Sequence, residues 1–248
     1  MTLLPHYEQA GKKILGVLGG MGPLASATFM TRLTLLNPVA RDQEHVPSVL
    51  WSDPRVPDRT EAILYGGPSP LPMLLHGLET LEAAGAMQIV IPCNTAHLWY
   101  DEMAKAAKVP ILHIVEAVVT DLRARGIFKG RVGLIATKAT LKSHLYQKVL
   151  ESAGYTCIVP SDDEIDRYCM ASIRLVKSNR LFESYHPAAE CVKLLQSRGV
   201  TAIVLGCTEL PLAIDPQIMA SSGLLFISSI DALVTAAIRW YNGEASIV

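Results

Sequence analysis

The chain has 248 residues, of which 50% are hydrophobic and 18% charged, with a formal net charge of -1 at pH 7. The hydrophobic residues are numerous enough to fill the core of one large α/β domain or of two smaller ones. The balanced charge gives no general attraction to nucleic acid or to anionic membranes. No apolar run approaches the roughly 20 residues of a membrane-spanning helix, and we expect no signal peptide in residues 1–13. Five cysteines without zinc-pair spacing suit a reducing compartment, so we expect a cytoplasmic protein.

The first half of the chain predicts alternating strands and helices. Residues 14–18 indicate a buried strand that enters a glycine turn ending at Gly22-Pro23, and a helix follows to about residue 36. A second strand, residues 49–51, leads to an irregular stretch, residues 53–60. Its prolines fix its shape, so that Arg55 or Arg59 could reach the ligand-binding edge of the sheet.

Residues 87–97 are the most informative stretch of the sequence. After a predicted helix from about residue 70 to 85, an apolar strand at 89–91 ends at Cys93, and Asn94 and Thr95 follow at once. A helix is predicted from 95 to 108, a strand at 111–113 and a helix at 115–125. Since ligands of parallel α/β sheets bind at the carboxyl ends of the strands, this thiol is a candidate functional group.

The second half repeats this order of elements. Strand 131–136 runs into Thr137-Lys138-Ala139-Thr140 where the glycine turn stood before, and a helix at 141–153, a strand at 155–159 and helices at 163–177 and 187–198 follow. A strand at 202–206 then delivers Cys207, and a strand at 224–227 and a helix at 229–241 close the chain.

Three landmarks recur at nearly constant spacing. The offsets are 117, 114 and 115 residues for the pairs Gly16 and Gly133, Cys93 and Cys207, and Glu116 and Asp231. We therefore predict an internal duplication: an α/β protein of two pseudo-symmetric parallel-sheet domains with the active site in the cleft between them. The predicted first domain is 1–114 plus 222–248, because the last helix should pack back on it, and the predicted second domain is 115–221.

The matched position of Cys93 and Cys207 favours a functional reading of both thiols. Each follows a strand and precedes a helix, and a helix N-terminus stabilises a thiolate, so we expect each pKa to be lowered. Cys157, Cys169 and Cys191 lie on a strand or on apolar helix faces and are interpreted as buried hydrophobic residues.

Two other site types are compatible with parts of this pattern. Residues 20–25 fit the G-x-G-x-x-A dinucleotide fingerprint, with Asp42 and Glu44 about 20 residues on, but the turn in the second half lacks those glycines. A metal site built from Cys93, His97, His113 and Cys207 is conceivable, although the spacings match no standard zinc module. We expect neither a cofactor nor a metal.

Five segments, in order along nearly the whole chain, carry a family resemblance. They are residues 18–25 (LGGMGPLA), 41–45 (RDQEH), 57–60 (PDRT), 92–97 (PCNTAH) and 206–209 (GCTE). As a set they resemble the cofactor-independent aspartate/glutamate racemase family. Gly19-Gly20 and Glu209 stand where cell-wall glutamate racemases usually have Asp-Ser and His, which favours the aspartate branch.

The resemblance implies roles for particular residues. Cys93 and Cys207 would be the catalytic pair on the two faces of the substrate, with no pyridoxal phosphate. The residues that would bind an acidic amino acid as substrate are Met21, Gly22, Arg59, Asn94, Thr95, Thr137, Lys177, Thr208 and Glu209. Among them, Arg59 and Lys177 would contact the carboxylates of the substrate. We expect a homodimer as well, and neither nucleic acid nor a membrane as partner.

One departure from the family pattern bears on the substrate. The second-half loop usually reads Thr-x-Gly-Thr, but Ala139 stands at the glycine position, and alanine takes a left-handed conformation less readily. Aspartate is the predicted substrate, with glutamate as a second candidate. The alternatives are another carboxylate or a hydantoin within the superfamily, a nucleotide-binding oxidoreductase, and a non-catalytic protein that binds an acidic ligand.

Overall fold

The protein is described here by a computed structural model that covers residues 13–244. Its strands form two separate parallel sheets. The first contains β1 (Leu15–Gly19), β2 (Ser48–Ser52) and β3 (Gln88–Val90) in the order β2-β1-β3. Ile111 makes one further parallel bridge to Ile89, so a rudimentary fourth strand lies beside β3.

The second sheet has the same order with a complete fourth strand. It contains β4 (Gly130–Ala136), β5 (Tyr155–Ile158), β6 (Ala202–Gly206) and β7 (Leu225–Ser228) in the order β5-β4-β6-β7. All its pairs are parallel. β1 and β6 are buried along their whole length, as expected for strands covered on both faces. The predicted fold class, two similar parallel-sheet α/β units, is confirmed.

Thirteen helices are assigned within the described residues, and most of them cover the two sheets. Their bounds are α1 Pro23–Leu35, α2 Arg59–Leu64, α3 Leu71–Ala83, α4 Tyr100–Ala106, α5 Ile114–Ala124, α6 Lys138–Lys142, α7 Leu145–Ser152, α8 Asp162–Glu164, α9 Ala171–Lys177, α10 Leu181–Ser197, α11 Leu210–Ala213, α12 Pro216–Ser221 and α13 Ser229–Asn242. Short 3-10 turns lie at Asp42–Glu44 and Thr95–Trp99, and a π-helical segment, Ile165–Met170, joins α8 to α9. No helix among residues 13–244 is long and apolar enough to cross a bilayer.

Several local predictions needed correction. The helix predicted at 141–153 is divided into α6 and α7, because His144 adopts a left-handed conformation with φ of 57°. The stretch predicted as irregular before residue 60 leads into α2, which Asp58 caps by accepting hydrogen bonds from the amides of Thr60 and Glu61. The predicted strand at 111–113 is reduced to the single bridge of Ile111.

The last helix crosses back to the first half of the chain. α13 packs against α1 and α5, and Asp231 of α13 receives two hydrogen bonds from the guanidinium of Arg32, with Nε at 2.7 Å and Nη2 at 2.8 Å. This contact raises the pKa of Arg32 through its hydrogen bond to Asp231. The assignment of residues 222–248 to the first domain, like the other domain boundaries, stays a prediction.

Candidate functional site

The two matched cysteines line one cavity. Cys93 lies just beyond β3 and Cys207 directly after β6, at the carboxyl edges of the two sheets, and they are 5% and 4% exposed. The lining residues of the cavity are Met21, Asp58, Arg59, Thr60, Cys93, Asn94, Thr95, Thr137, Lys177, Cys207, Thr208 and Glu209. Every predicted site residue except Gly22 is in this set.

A larger, more open cleft adjoins this cavity. The two share Asp58, Arg59, Lys177 and Glu209, and Gly22 lines the cleft. The cavity is therefore the inner end of an opening between the first-half loops and the end of α9.

His97 is a structural residue that supports Cys93. Its Nδ1 lies 2.9 Å from the carbonyl oxygen of Cys93, and its Nε2 accepts a hydrogen bond from the amide of Ile114 at 3.2 Å. This pattern fits the neutral tautomer with the proton on Nδ1. Burial, and then the neighbouring His113, lower the pKa of His97 to about 3, so the ring is uncharged at neutral pH.

The metal alternative finds no support in this arrangement. Both ring nitrogens of His97 are in contact with the backbone, and Nδ1 of His113 accepts a hydrogen bond from the amide of Val115 at 3.2 Å. Over the described part of the chain, no group of three or more His, Cys, Asp or Glu side chains is placed to hold a metal ion.

Asn94 connects the Cys93 loop to both halves of the molecule. Its Nδ2 donates to the hydroxyl of Ser229 at 3.0 Å, and its Oδ1 accepts a hydrogen bond from the hydroxyl of Tyr146. Tyr146 is fully buried, and this burial is the main reason that its pKa is raised. The residue next to Cys93 is thus held by α7 and α13.

We expect Tyr146→Phe to destabilise the protein and to lower its activity. The change leaves the buried Oδ1 of Asn94 without its donor, which costs about 1–3 kcal/mol of the free energy of unfolding. The matched control is Tyr155→Phe, because that hydroxyl donates to the carbonyl of Ile127 at 2.7 Å outside the cavity. Urea unfolding and turnover of both variants check this; equal loss of turnover in the control contradicts a role for Tyr146 in positioning Asn94.

The thiol of Cys207 is hydrogen-bonded to a carboxylate. Its Sγ donates a hydrogen bond to Oε2 of Glu209 at 3.1 Å, and the hydroxyl of Thr208 donates to the same oxygen at 3.2 Å. The pKa of Cys207 is raised well above its usual value, mainly by burial and then by the charge of Glu209, while Lys177 acts in the opposite direction. The expectation that the following helix lowers this pKa was wrong, because burial outweighs the dipole of α11, which has only four residues.

Three threonine hydroxyls join the two halves at the wall of the cavity. Oγ1 of Thr95 lies 2.9 Å from that of Thr137 and 3.1 Å from that of Thr140, and Thr137 donates to Thr140 at 2.9 Å. Ala139 lies inside α6 and has no positive φ, so the alanine at the usual glycine position fits this loop without strain.

Arg59 presents a buried cation to the cavity. It is 7% exposed, and its guanidinium donates to the carbonyl oxygens of Val56 at 3.1 Å, Pro57 at 3.0 Å and Met21 at 3.1 Å. Within residues 13–244, the buried Nε of Arg59 has no hydrogen-bond acceptor. No carboxylate of these residues lies within ion-pair distance of the guanidinium. A buried charge needs compensation, so this site favours an anionic ligand.

The other candidate arginine is not part of the cavity. Arg55 pairs with Asp53 at 2.8 Å, and its side chain is 80% exposed. Lys177, at the end of α9, lines both the cavity and the cleft. Of the two arginines considered from the sequence, only Arg59 joins Lys177 at the cavity wall.

Asp58 and Thr60 also line the cavity, although neither is among the predicted site residues. Asp58 precedes α2 and caps it, with Oδ1 2.7 Å from the amide of Thr60. An aspartate followed three residues later by Glu61, just before an apolar run, is a helix-start pattern and could have revealed both α2 and this wall of the cavity.

The glycine turn is packed against protein groups. The amide of Gly20 donates to the hydroxyl of Ser26 at 2.8 Å, and the amide of Gly22 donates to Oε1 of Glu209 at 3.3 Å. Gly20 has φ of 93°, and a Cβ there would lie 2.3 Å from the carbonyl oxygen of Asp53. The turn therefore holds the Met21 segment at the cavity, and these two amides have protein acceptors rather than an open phosphate site.

Comparison with known proteins gives matches along most of the chain. The family model for Asp/Glu/hydantoin racemases matches residues 18–237. A broad-specificity amino-acid racemase of Bacillus subtilis is 25% identical over 82% of this chain and 88% of its own length. A glutamate racemase of Exiguobacterium sibiricum is 30% identical over 67% of this chain and 61% of its own length. The structure of the aspartate racemase of Picrophilus torridus superimposes with a TM-score of 0.81 and 33% identity, over 94% of this chain and 95% of that one.

Proposed function

Because the chain belongs to the Asp/Glu/hydantoin racemase family, we propose that it interconverts L- and D-aspartate without a cofactor, with Cys93 and Cys207 as its two acid/base groups. The family model describes racemases of aspartate, glutamate and hydantoins, and the match to the Picrophilus torridus aspartate racemase covers nearly the whole chain. The observation that carries the two-base proposal is that matched cysteines, one from each half, line a single cavity.

The reaction requires this kind of symmetry. Racemisation removes the α-proton from one face of the substrate and adds a proton to the opposite face, so it needs two acid/base groups on opposite sides. A duplicated fold supplies two such groups at corresponding positions. One cysteine accepts the α-proton while the other donates its own.

The charges of the cavity support an acidic substrate. Arg59 offers a buried guanidinium, and Lys177 adds a second cation from the other half. Cations at the substrate carboxylates bind the ground state and stabilise the negative charge that develops when the α-proton leaves. Aspartate is favoured over glutamate by the likeness to an aspartate racemase and by Gly19-Gly20 and Glu209.

Glutamate, or a wider range of amino acids, is the second candidate for the substrate. It rests on the glutamate racemase and the broad-specificity racemase among the relatives. The rates of racemisation of aspartate, glutamate and alanine, measured side by side, distinguish the three specificities. The homodimer expected from the sequence stays a prediction.

We expect purified protein in D2O to exchange and invert the α-hydrogen of both enantiomers of aspartate with no added cofactor. Proton NMR follows the loss of the α-proton signal, and chiral chromatography follows inversion. Dialysis against EDTA should leave the rate unchanged, and the active protein should show no pyridoxal-type absorbance. Activity that requires added zinc, nucleotide or pyridoxal phosphate contradicts the cofactor-independent mechanism.

A further inference from the structure

The hydroxyl of Thr140 is buried behind the two threonines that line the cavity. Thr140 is 0% exposed and does not line the cavity, whereas Thr95 and Thr137 do. Its Oγ1 lies 2.9 Å from that of Thr137 and 3.1 Å from that of Thr95, and the hydroxyls of Thr95 and Thr137 are also 2.9 Å apart. The three groups form a closed triangle that joins Thr95, from the first half, to the loop after β4.

Each hydroxyl has a single proton to donate, and this assigns the directions of the bonds. Thr137 donates to Thr140, and the oxygen of Thr137 accepts a hydrogen bond from the backbone amide of Thr140 at 3.2 Å. Among residues 13–244, the hydroxyl of Thr140 then has Thr95 as its acceptor. The proton of Thr95 is left with two acceptors, which are Oγ1 of Thr137 or an atom of a ligand in the cavity.

Of the two hydroxyls at the cavity wall, that of Thr95 turns to a ligand at the lower cost. When it turns, Oγ1 of Thr137 keeps the amide of Thr140 as its donor, and Oγ1 of Thr140 keeps the hydroxyl of Thr137. If Thr137 turned instead, either the oxygen or the proton of the fully buried Thr140 hydroxyl would lose its partner, and an unpaired buried polar group is costly. The triangle therefore selects Thr95 as the donor to a ligand.

A carboxylate is the ligand that suits this donor. A hydroxyl that accepts a hydrogen bond becomes a stronger donor itself, so the chain from Thr137 through Thr140 to Thr95 polarises the last proton toward an anion. The position that corresponds to Thr95 in the second half is Glu209, 114 residues further on. Its oxygens accept hydrogen bonds from the hydroxyl of Thr208 and the amide of Gly22. The duplication thus provides a hydroxyl donor on one side of the cavity and a carboxylate acceptor on the other.

We propose that Thr140 is a positioning residue for substrate binding: it donates to Thr95, so that the hydroxyl of Thr95 donates to a carboxylate oxygen of the substrate. This inference rests on the proposed function, in which the substrate is an acidic amino acid. Thr140 touches no substrate atom. It acts through Thr95, and it sets the direction in which the hydroxyl of Thr95 points.

Replacements that separate the hydroxyl of Thr140 from its shape test this role. Valine keeps the branched shape and removes the hydroxyl, whereas serine keeps the hydroxyl and removes the methyl group. If the hydroxyl positions Thr95, the serine variant binds a carboxylate ligand more tightly than the valine variant, and a role in packing alone gives the opposite order. The ligand used is succinate, a dicarboxylate without a stereocentre, and calorimetry measures its dissociation constant without turnover.

We expect Thr140→Val to raise the dissociation constant of succinate by about 3- to 10-fold, the range of one ordinary hydrogen bond, and Thr140→Ser to leave it within about twofold. The value of kcat/KM for aspartate should follow the same order. In the Thr95→Val background, adding Thr140→Val should change succinate binding by less than about twofold, because the group that Thr140 orients is gone. The matched control is Thr120→Val, which removes a surface hydroxyl that donates to the carbonyl of Glu116 at 2.9 Å and should change neither quantity.

Other results overturn the inference. Equal succinate binding by Thr140→Val and the parent, or weaker binding by Thr140→Ser than by Thr140→Val, assigns Thr140 to packing alone. An equal loss with and without the hydroxyl of Thr95 means that Thr140 acts by another route. If urea unfolding shows that Thr140→Val is not folded, Thr140→Ala takes its place, since alanine and serine differ only in the hydroxyl and the alanine variant must bind succinate more weakly.

The parent protein distinguishes this inference from the function on which it rests. A parent that neither racemises aspartate nor binds succinate overturns the proposed function together with this inference. A parent that does both, combined with unchanged binding in Thr140→Val, overturns the role of Thr140 alone.

Discussion

Cys93→Ala is expected to abolish racemisation while leaving deuterium wash-in, without inversion, for one enantiomer of aspartate; Cys207→Ala should leave it for the other. Each thiol comes from a different half of the molecule, so each reaches only one face of the α-carbon. A single remaining cysteine still removes an α-proton and returns a deuteron to the same face. Inversion needs a donor on the opposite face, and loss of one general acid/base group lowers its rate by about 10²- to 10⁴-fold.

Proton NMR in D2O and chiral chromatography, run on the same samples, separate exchange from inversion. Alanine is a better replacement than serine, because a serine hydroxyl could still donate a proton. The control is Cys157→Ala, since Cys157 lies on β5 outside the cavity and should be dispensable for the reaction. Racemisation near the parent rate in either Cys93→Ala or Cys207→Ala rules out the two-base mechanism.

The duplication and the place of the site could be predicted because they depend on repeated local patterns. Apolar runs of strand length recur in the same order in the two halves. In each half, one of these runs brings a cysteine to the carboxyl end of a strand. In each parallel sheet such ends lie at one edge, so sequence order and fold class place each cysteine at a ligand-binding edge. That the two edges share one cavity, lined by Cys93 and Cys207, was predicted from the duplication. The resemblance to a family then distinguished Arg59 from Arg55, which the local pattern had left as alternatives, and pointed to Lys177, which the local pattern had not selected.

The direction in which the pKa of the Cys207 thiol is shifted could not be predicted, because this pKa depends on contacts between residues that are distant in sequence. The expected lowering of its pKa depended on the adjacent helix alone, whereas burial and the neighbouring Glu209 determine the pKa. Glu209 is itself fixed by the amide of Gly22, which is 187 positions away in the sequence. Local propensity also gave no sign that His144 would divide a helix by adopting a left-handed conformation.

Arg59 combines two tasks, and its replacement should reveal both. Its guanidinium donates to the carbonyls of Met21, Val56 and Pro57 and so joins the glycine turn to the loop before α2. It also presents its charge to the cavity, where the substrate carboxylate would compensate it. Lysine keeps the charge but lacks the planar set of donors, so Arg59→Lys retains only the electrostatic part of the interaction.

We expect Arg59→Ala to lower kcat/KM for aspartate by at least roughly 10- to 150-fold, since a hydrogen bond to a charged group contributes about 1.5–3 kcal/mol. Arg59→Lys should lose less, and Arg125→Ala should change kcat/KM little, because Arg125 forms only a surface pair with Asp121 at 3.0 Å. Inhibition by succinate, which has two carboxylates but no stereocentre to invert, reports carboxylate binding separately from catalysis and should weaken in parallel. If Arg59→Ala lowers stability but leaves succinate inhibition and the preference for aspartate over alanine unchanged, Arg59 only supports the loops, and the anionic-ligand assignment is wrong.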